Sequence, residues 1–69
     1  MTQNFSNTRI IRLPEVKSLT GLGRSNIYSR MKDGTFPKHI HLGERSVGWV
    51  ESEVRAWIGE QISANRPAA

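Results

Sequence analysis

The chain contains no cysteine, which excludes a disulfide framework, a thiolate zinc site and an iron–sulfur cluster. Long apolar runs are missing as well. Pairs such as Ile10-Ile11 and Trp49-Val50 are typical, far from the roughly 20 apolar residues that cross a membrane. Met1 to Thr8 is polar and lacks the basic-then-apolar plan of a signal peptide, so the expectation is a cytoplasmic protein without a membrane partner. Length is also limiting: a chain of 69 residues buries only about 60% of its unfolded surface. That suffices for one modest core and not for a catalytic domain with a lid. Acids are outnumbered, six against ten Lys and Arg, for a formal net charge of +4. Where those cations sit decides whether the charge has a partner.

What is present divides into three parts. Residues 1–8 (MTQNFSNT) show no period and read as a flexible arm, residues 9–62 carry the ordered domain, and residues 63–69 (SANRPAA) read as a frayed tail. Arg9 to Leu13 suits a short extended piece. Pro14 at a first helical position and Glu15 in the first turn then open a helix near Pro14 to Thr20. Thr20-Gly-Leu-Gly23 supplies two glycines for a tight reversal. Arg24 to Lys32 forms a second helix with Ile27 and Met31 on its apolar stripe, and Gly34 suits the left-handed cap that ends it. Lys38 to Leu42 alternates, with Ile40 and Leu42 on one face and His39 and His41 on the other. Gly43 to Ser46 is turn-like, and Val47 to Val50 is a second strand. From Ser52 to about Ser63, Val54, Trp57, Ile58 and Ile62 share one helical stripe. Helix, turn, helix, hairpin, helix is the order of a winged helix-turn-helix, mainly α with a small two-stranded wing.

Distinctive chemistry concentrates on the second helix and the hairpin. Opposite Ile27 and Met31 the sequence places Ser25, Asn26, Ser29 and Arg30, with no acid before Asp33. Arg matches a guanine edge, Asn an adenine edge, and Ser reaches base or phosphate. A plain solvated helix face would more often mix Glu with Lys. Arg24 at the helix start opposes the dipole, a conflict that a phosphate would remove; the plainer reading is a solvated or acid-paired guanidinium. Tyr28 on the flank suits packing first and a phosphate hydrogen bond second. Lys38, and Arg45 at the hairpin tip, suit phosphates or a minor groove, although Glu44 stands beside Arg45. His39 and His41 point the same way, as two metal ligands would, but no third ligand is evident. No metal is therefore expected, and both histidines are read as facing solvent or phosphate. Trp49 and Trp57 are read as core residues that meet and tie the wing to the helices. No nucleophile stands in a motif beside a base and no carboxylate pair shares a pocket, so neither an enzyme activity nor a cofactor is expected.

Taken together, Leu13-Pro-Glu-Val16, Thr20-Gly-Leu-Gly-Arg-Ser-Asn-Ile-Tyr28, Gly34-Thr-Phe-Pro-Lys38, Leu42-Gly43 and Gly48-Trp-Val-Glu-Ser-Glu-Val54 with Trp57 resemble the AlpA family of small phage- and prophage-encoded DNA-binding regulators. The resemblance covers about residues 9–62. It implies a winged helix-turn-helix related to MerR-type and excisionase domains, binding double-stranded DNA at a promoter or attachment site of a prophage or genomic island. By position it implies Arg24, Ser25, Asn26, Tyr28, Ser29 and Arg30 as readers, with Arg45 in the wing. One departure is Gly23, where the family often carries Ser or another small polar cap.

The expected function is therefore a sequence-specific transcriptional regulator acting at an integrase promoter or attachment site. One alternative is an excisionase that bends attachment-site DNA and contacts integrase. The other is a protein-interaction module that grips integrase or RNA polymerase without specific DNA binding. A single short reading helix and one wing bury under about 1,000 Å², which favours a dimer or cooperative binding to repeated sites.

Overall fold

In the computed structural model, which describes residues 9–67, the elements run β1 (Ile10–Ile11), α1 (Leu13–Thr20), α2 (Arg24–Asp33), β2 (Ile40–His41), β3 (Val47–Val50) and α3 (Glu51–Asn65). This is the expected winged helix-turn-helix, mainly α with a hairpin wing. The arm expected at residues 1–8, and the end of the expected tail at Ala68 and Ala69, lie outside the described residues. α3 itself continues to Asn65, past the end expected near Ser63. It stops where Arg66 turns extended (φ −81°, ψ 126°), the conformation forced on a residue that precedes proline.

The helix-turn-helix is set by local chemistry. α1 starts at Leu13 after an extended Arg12, which places Pro14 one position later than expected. Its missing N–H is still one that has no partner in the first turn. Gly21 adopts a left-handed φ of 75° and its N–H bonds to the Lys17 carbonyl at 2.8 Å. The Thr20 hydroxyl donates to the Val16 carbonyl at 2.8 Å and accepts the Leu22 N–H at 3.2 Å, so this side chain stitches the reversal. Only one of the two turn glycines is required by its backbone, because Gly23 is extended at φ −82°. Gly34, at φ 79°, ends α2 as expected.

The wing acquires a third strand. β1 pairs antiparallel with β3 (Ile10 with Val50, Ile11 with Trp49), and β2 pairs with β3 from the other side (Ile40 with Gly48, His41 with Val47), for the order β1-β3-β2. Alternation puts Ile11, Trp49, Val47 and His41 on the inner face, and Ile10, Val50, Gly48 and Ile40 on the outer. The core is Ile11, Val16, Ile27, Met31, Phe36, Trp49 and Val54. Full burial of one such side chain contributes about 1.5–3 kcal/mol, so this cluster carries the fold.

That register overturns two expectations. His39 turns inward rather than to solvent, whereas His41 stays exposed as expected, and Ile40, Leu42 and Ile10 are 41%, 47% and 42% exposed. Alternation tells which residues share a face, but Trp49 entering the core decides which face turns inward. The two tryptophans also do not meet. Trp49 is buried edge-on against His39 (5.5 Å between centroids) and Tyr28 (6.2 Å), whereas the half-buried Trp57 packs edge-on against Phe36 (4.8 Å). Gly48 is needed in the middle strand, because a Cβ there would stand 2.5 Å from Ile10 Cγ2 and 3.1 Å from the Ile11 carbonyl oxygen.

Candidate nucleic-acid interface

α2 is pinned to the core by Ile27 and Met31. At about 100° per residue, Ser25, Ser29, Lys32 and the terminal Asp33 form the crest opposite them. Arg24 and Tyr28 fall on the flank beside the wing, and Asn26 and Arg30 on the flank beside α3. The crest is exposed, while Tyr28 and Arg30 are half-buried. No acid occupies the first turn and no side chain caps it. The free N–H groups and the positive end of the dipole are thus left for an outside anion.

On the wing flank, the exposed Arg24 guanidinium lies 5.0 Å from the centroid of the Tyr28 ring, a cation–π contact, and it is in no ion pair with an acid among the described residues. Tyr28 in turn packs edge-on against His39 at 5.8 Å, and His39 against His41 at 5.5 Å. His39 Nδ1 and Trp49 Nε1 are buried without hydrogen-bond partners. The outward-facing role expected of His39 is therefore corrected: its ring is packing that joins the wing to α2. His41, at the margin of the same row, remains exposed. Among the described residues no three His, Asp or Glu side chains converge in a metal-binding group.

The α3 flank corrects a second placement. Arg30 was expected opposite the apolar stripe, but its angular position is only about 60° from Ile27 and its guanidinium lies 5.7 Å from the Trp57 ring centroid. Its Nε donates to Asn26 Oδ1 at 2.8 Å. Trp57 Nε1 donates to the Thr35 carbonyl at 2.6 Å, so the indole joins α3 to the segment leaving α2.

The ion pairs gather in one place. Arg9 pairs with Glu15 (2.6 Å) and Glu51 (2.9 Å), and Arg55 with Glu51 (3.2 Å), all at the junction of β1, α1 and α3. The hydrogen bond from Arg9 holds the Glu51 carboxyl below its ordinary value, assisted by Arg55 and opposed by desolvation. The same contacts with Glu51 and Glu15 hold the Arg9 guanidinium above its own. From residue 24 to residue 45, by contrast, Arg24, Arg30, Lys32, Lys38 and Arg45 stand against only Asp33 and Glu44. None of these five cations is in an ion pair among the described residues.

The structure brings Arg24, Ser25, Asn26, Tyr28, Ser29 and Arg30 together on α2. Lys38 precedes β2, and Arg45 lies exposed in a turn closed by the Leu42 N–H bonding to the Ser46 carbonyl at 2.7 Å. Lys32 was missed. Its signal was the spacing of seven from Ser25, two helical turns along the same crest.

A family described as "Prophage CP4-57 regulatory protein (AlpA)" matches residues 9–62. An uncharacterized protein, ORF88, of Enterobacteria phage P4 is 40% identical over 63 residues, spanning 91% of this chain and 72% of the phage protein. The DNA-binding transcriptional activator AlpA of Escherichia coli (strain K12) is 42% identical over 64 residues, spanning 84% of this chain and 91% of that protein. The matched span takes in both helices of the turn, the wing and most of α3, and the chain belongs to the AlpA family of prophage regulatory proteins.

Proposed function

We propose that this chain is a sequence-specific regulator of transcription that binds double-stranded DNA with α2 in the major groove. The carrying observation is the exposed face of α2: a crest of Ser25, Ser29 and Lys32 with a single acid, Asp33, at its far end, beginning at an uncapped N-terminus beside Arg24 with no acid in its first turn. An α-helix fits the roughly 12 Å major groove. Ser25 and Ser29 face the bases in this reading, and Asn26 and Arg30 approach them from the flank beside α3. Arg24 and Tyr28 hold a phosphate at the helix start, and Lys32, Lys38 and Arg45 hold phosphates along the groove and wing. The name of the E. coli relative, a DNA-binding transcriptional activator, supports the same reading.

The DNA site in this proposal is an integrase promoter or attachment site. Binding as a dimer or as cooperating copies follows from the small footprint of one helix and one wing. The test is fluorescence anisotropy at several salt concentrations on duplexes covering such a promoter and attachment site, with an unrelated duplex as competitor. Tight binding should survive the competitor, and log affinity should fall with log salt by about 0.9 per phosphate contact. Absent binding, or equal binding to both duplexes, rejects the proposal and leaves a protein partner such as integrase or RNA polymerase. A DNA-bending and excision assay on the same fragment separates a promoter regulator from an excisionase.

A further inference from the structure

On the reading that α2 enters the major groove, we infer that Asn26 does not read a base of its own: it is a positioning residue that aims Arg30 at a guanine, and the two act as one reading unit. An asparagine that reads adenine must present Oδ1 and Nδ2 together, one accepting from N6 and the other donating to N7. Here Oδ1 accepts the Arg30 Nε hydrogen bond at 2.8 Å. The amide oxygen is thus engaged along the helix with the next turn, and Nδ2 makes no hydrogen bond among those of the described residues.

The same bond defines what Arg30 offers. Of its five N–H groups the one on Nε is engaged, which leaves the two Nη nitrogens as a parallel pair of donors. That fork matches the two acceptors of guanine, N7 and O6. Adenine presents N6, a donor, where the fork needs an acceptor, and cytosine presents N4, a donor too. No ion pair with an acid engages the guanidinium among the described residues.

Trp57 restrains the guanidinium from the other side, with the ring centroid 5.7 Å away. That indole is itself held by its bond to the Thr35 carbonyl at 2.6 Å and by the edge of Phe36 at 4.8 Å. Arg30 is thus clamped between a side chain of its own helix and one from α3, before any ligand arrives. A long side chain already ordered loses less freedom on binding. The neighbouring crest residues Ser25 and Ser29 have no such clamp among the described hydrogen bonds.

The experiment is selection of sites from a randomised duplex library by the full chain and by Arg30→Ala, Asn26→Ala, Asn26→Asp and the double variant. Anisotropy on the selected site and its single-base changes then measures preference, with circular dichroism as the folding check. The wild type should select a guanine that it prefers by about 5- to 150-fold over other bases. Arg30→Ala should abolish that preference, and Asn26→Ala should reduce it at the same position. The double variant should lose no more than Arg30→Ala alone, the signature of coupled residues. Asn26→Asp keeps the accepting oxygen, so it should retain the guanine preference even where added negative charge lowers affinity for all duplexes. Relaxation of a separate adenine position by Asn26→Ala, or additive losses in the double variant, overturns the inference and leaves α2 as the reader. If no α2 variant, Ser25→Ala and Ser29→Ala included, changes preference at any position, both this inference and the placement of α2 in the groove are overturned.

Discussion

α2 and α3 differ most at their first turns. α3 opens with Glu51 and Glu53, and Glu51 is tied to Arg9 and Arg55. α2 opens with Arg24, has no acid in its first turn and is preceded by a glycine that offers no capping side chain. An acid near a helix N-terminus is worth about 0.3–1 kcal/mol, and a cap of Ser in place of Gly a few tenths more. α3 satisfies its dipole from within the protein and serves to lock β1, α1 and the sheet. α2 leaves the same stabilisation unclaimed, which is the arrangement expected of a helix whose N-terminus meets an external anion.

Substitutions can break this contrast, and the largest effect tests the core that both helices share. Trp49→Ala should destabilise the chain by about 3–5 kcal/mol in urea denaturation, because Trp49 is fully buried between the sheet and α2. An unchanged midpoint would mean that the wing is not anchored through this indole. Next comes Arg30→Ala, which should lose about 1–3 kcal/mol at the preferred site and, through the lost contact with Trp57, about 1 kcal/mol of stability. Arg45→Ala should instead weaken all duplexes alike and lower the salt slope by about 1. Arg55→Ala, on α3, should leave DNA affinity as it was; a loss comparable with that of Arg30→Ala would erase the division of labour between the two helices.

A smaller effect lies in the acid limb of stability. Because the Glu51 carboxyl is held below 4.5 in the folded chain, its pairs contribute at neutral pH. That contribution is lost as the pH falls from about 4.5 through the lower folded value. Glu51→Gln should therefore flatten the dependence of melting temperature on pH in that window, and a melting curve identical to the parent's at every pH would show that the Arg9 and Arg55 pairs add nothing. The smallest effect sharpens the comparison most directly. Nothing lies within 4 Å of a Cβ built on Gly23, so Gly23→Ser should raise stability by a few tenths of a kcal/mol. Its hydroxyl competes for the N–H groups assigned to phosphate, so DNA affinity should not rise with stability. A parallel gain in affinity would show that phosphate does not use this helix end.

The helix-turn-helix was legible because its signals are local. Ile27 and Met31 recur at helical spacing, Gly21 and Gly34 take the left-handed angles that end their helices, and Pro67 stops α3 through its neighbour. The exposed part of the candidate site was legible in the same measure: Ser25, Asn26 and Ser29 read as turned away from Ile27 and Met31 because their positions follow from one helical period. Arg30 was the exception. The helical period already sets it only about 60° from Ile27, but its contact with Trp57, a residue on another element, is announced by no spacing within α2.

By itself the sequence determined the order of elements, the turn geometry and the family, since each rests on periodicity, capping and short motifs within a few residues of one another. Only the tertiary structure decided that β1 joins β3, that His39 turns inward while Ile40 and Leu42 face out, and that Arg30 is clamped between Asn26 and Trp57. These are choices among partners far apart in the chain. They are settled by which side chains fill one small core, and a local pattern carries no record of that competition.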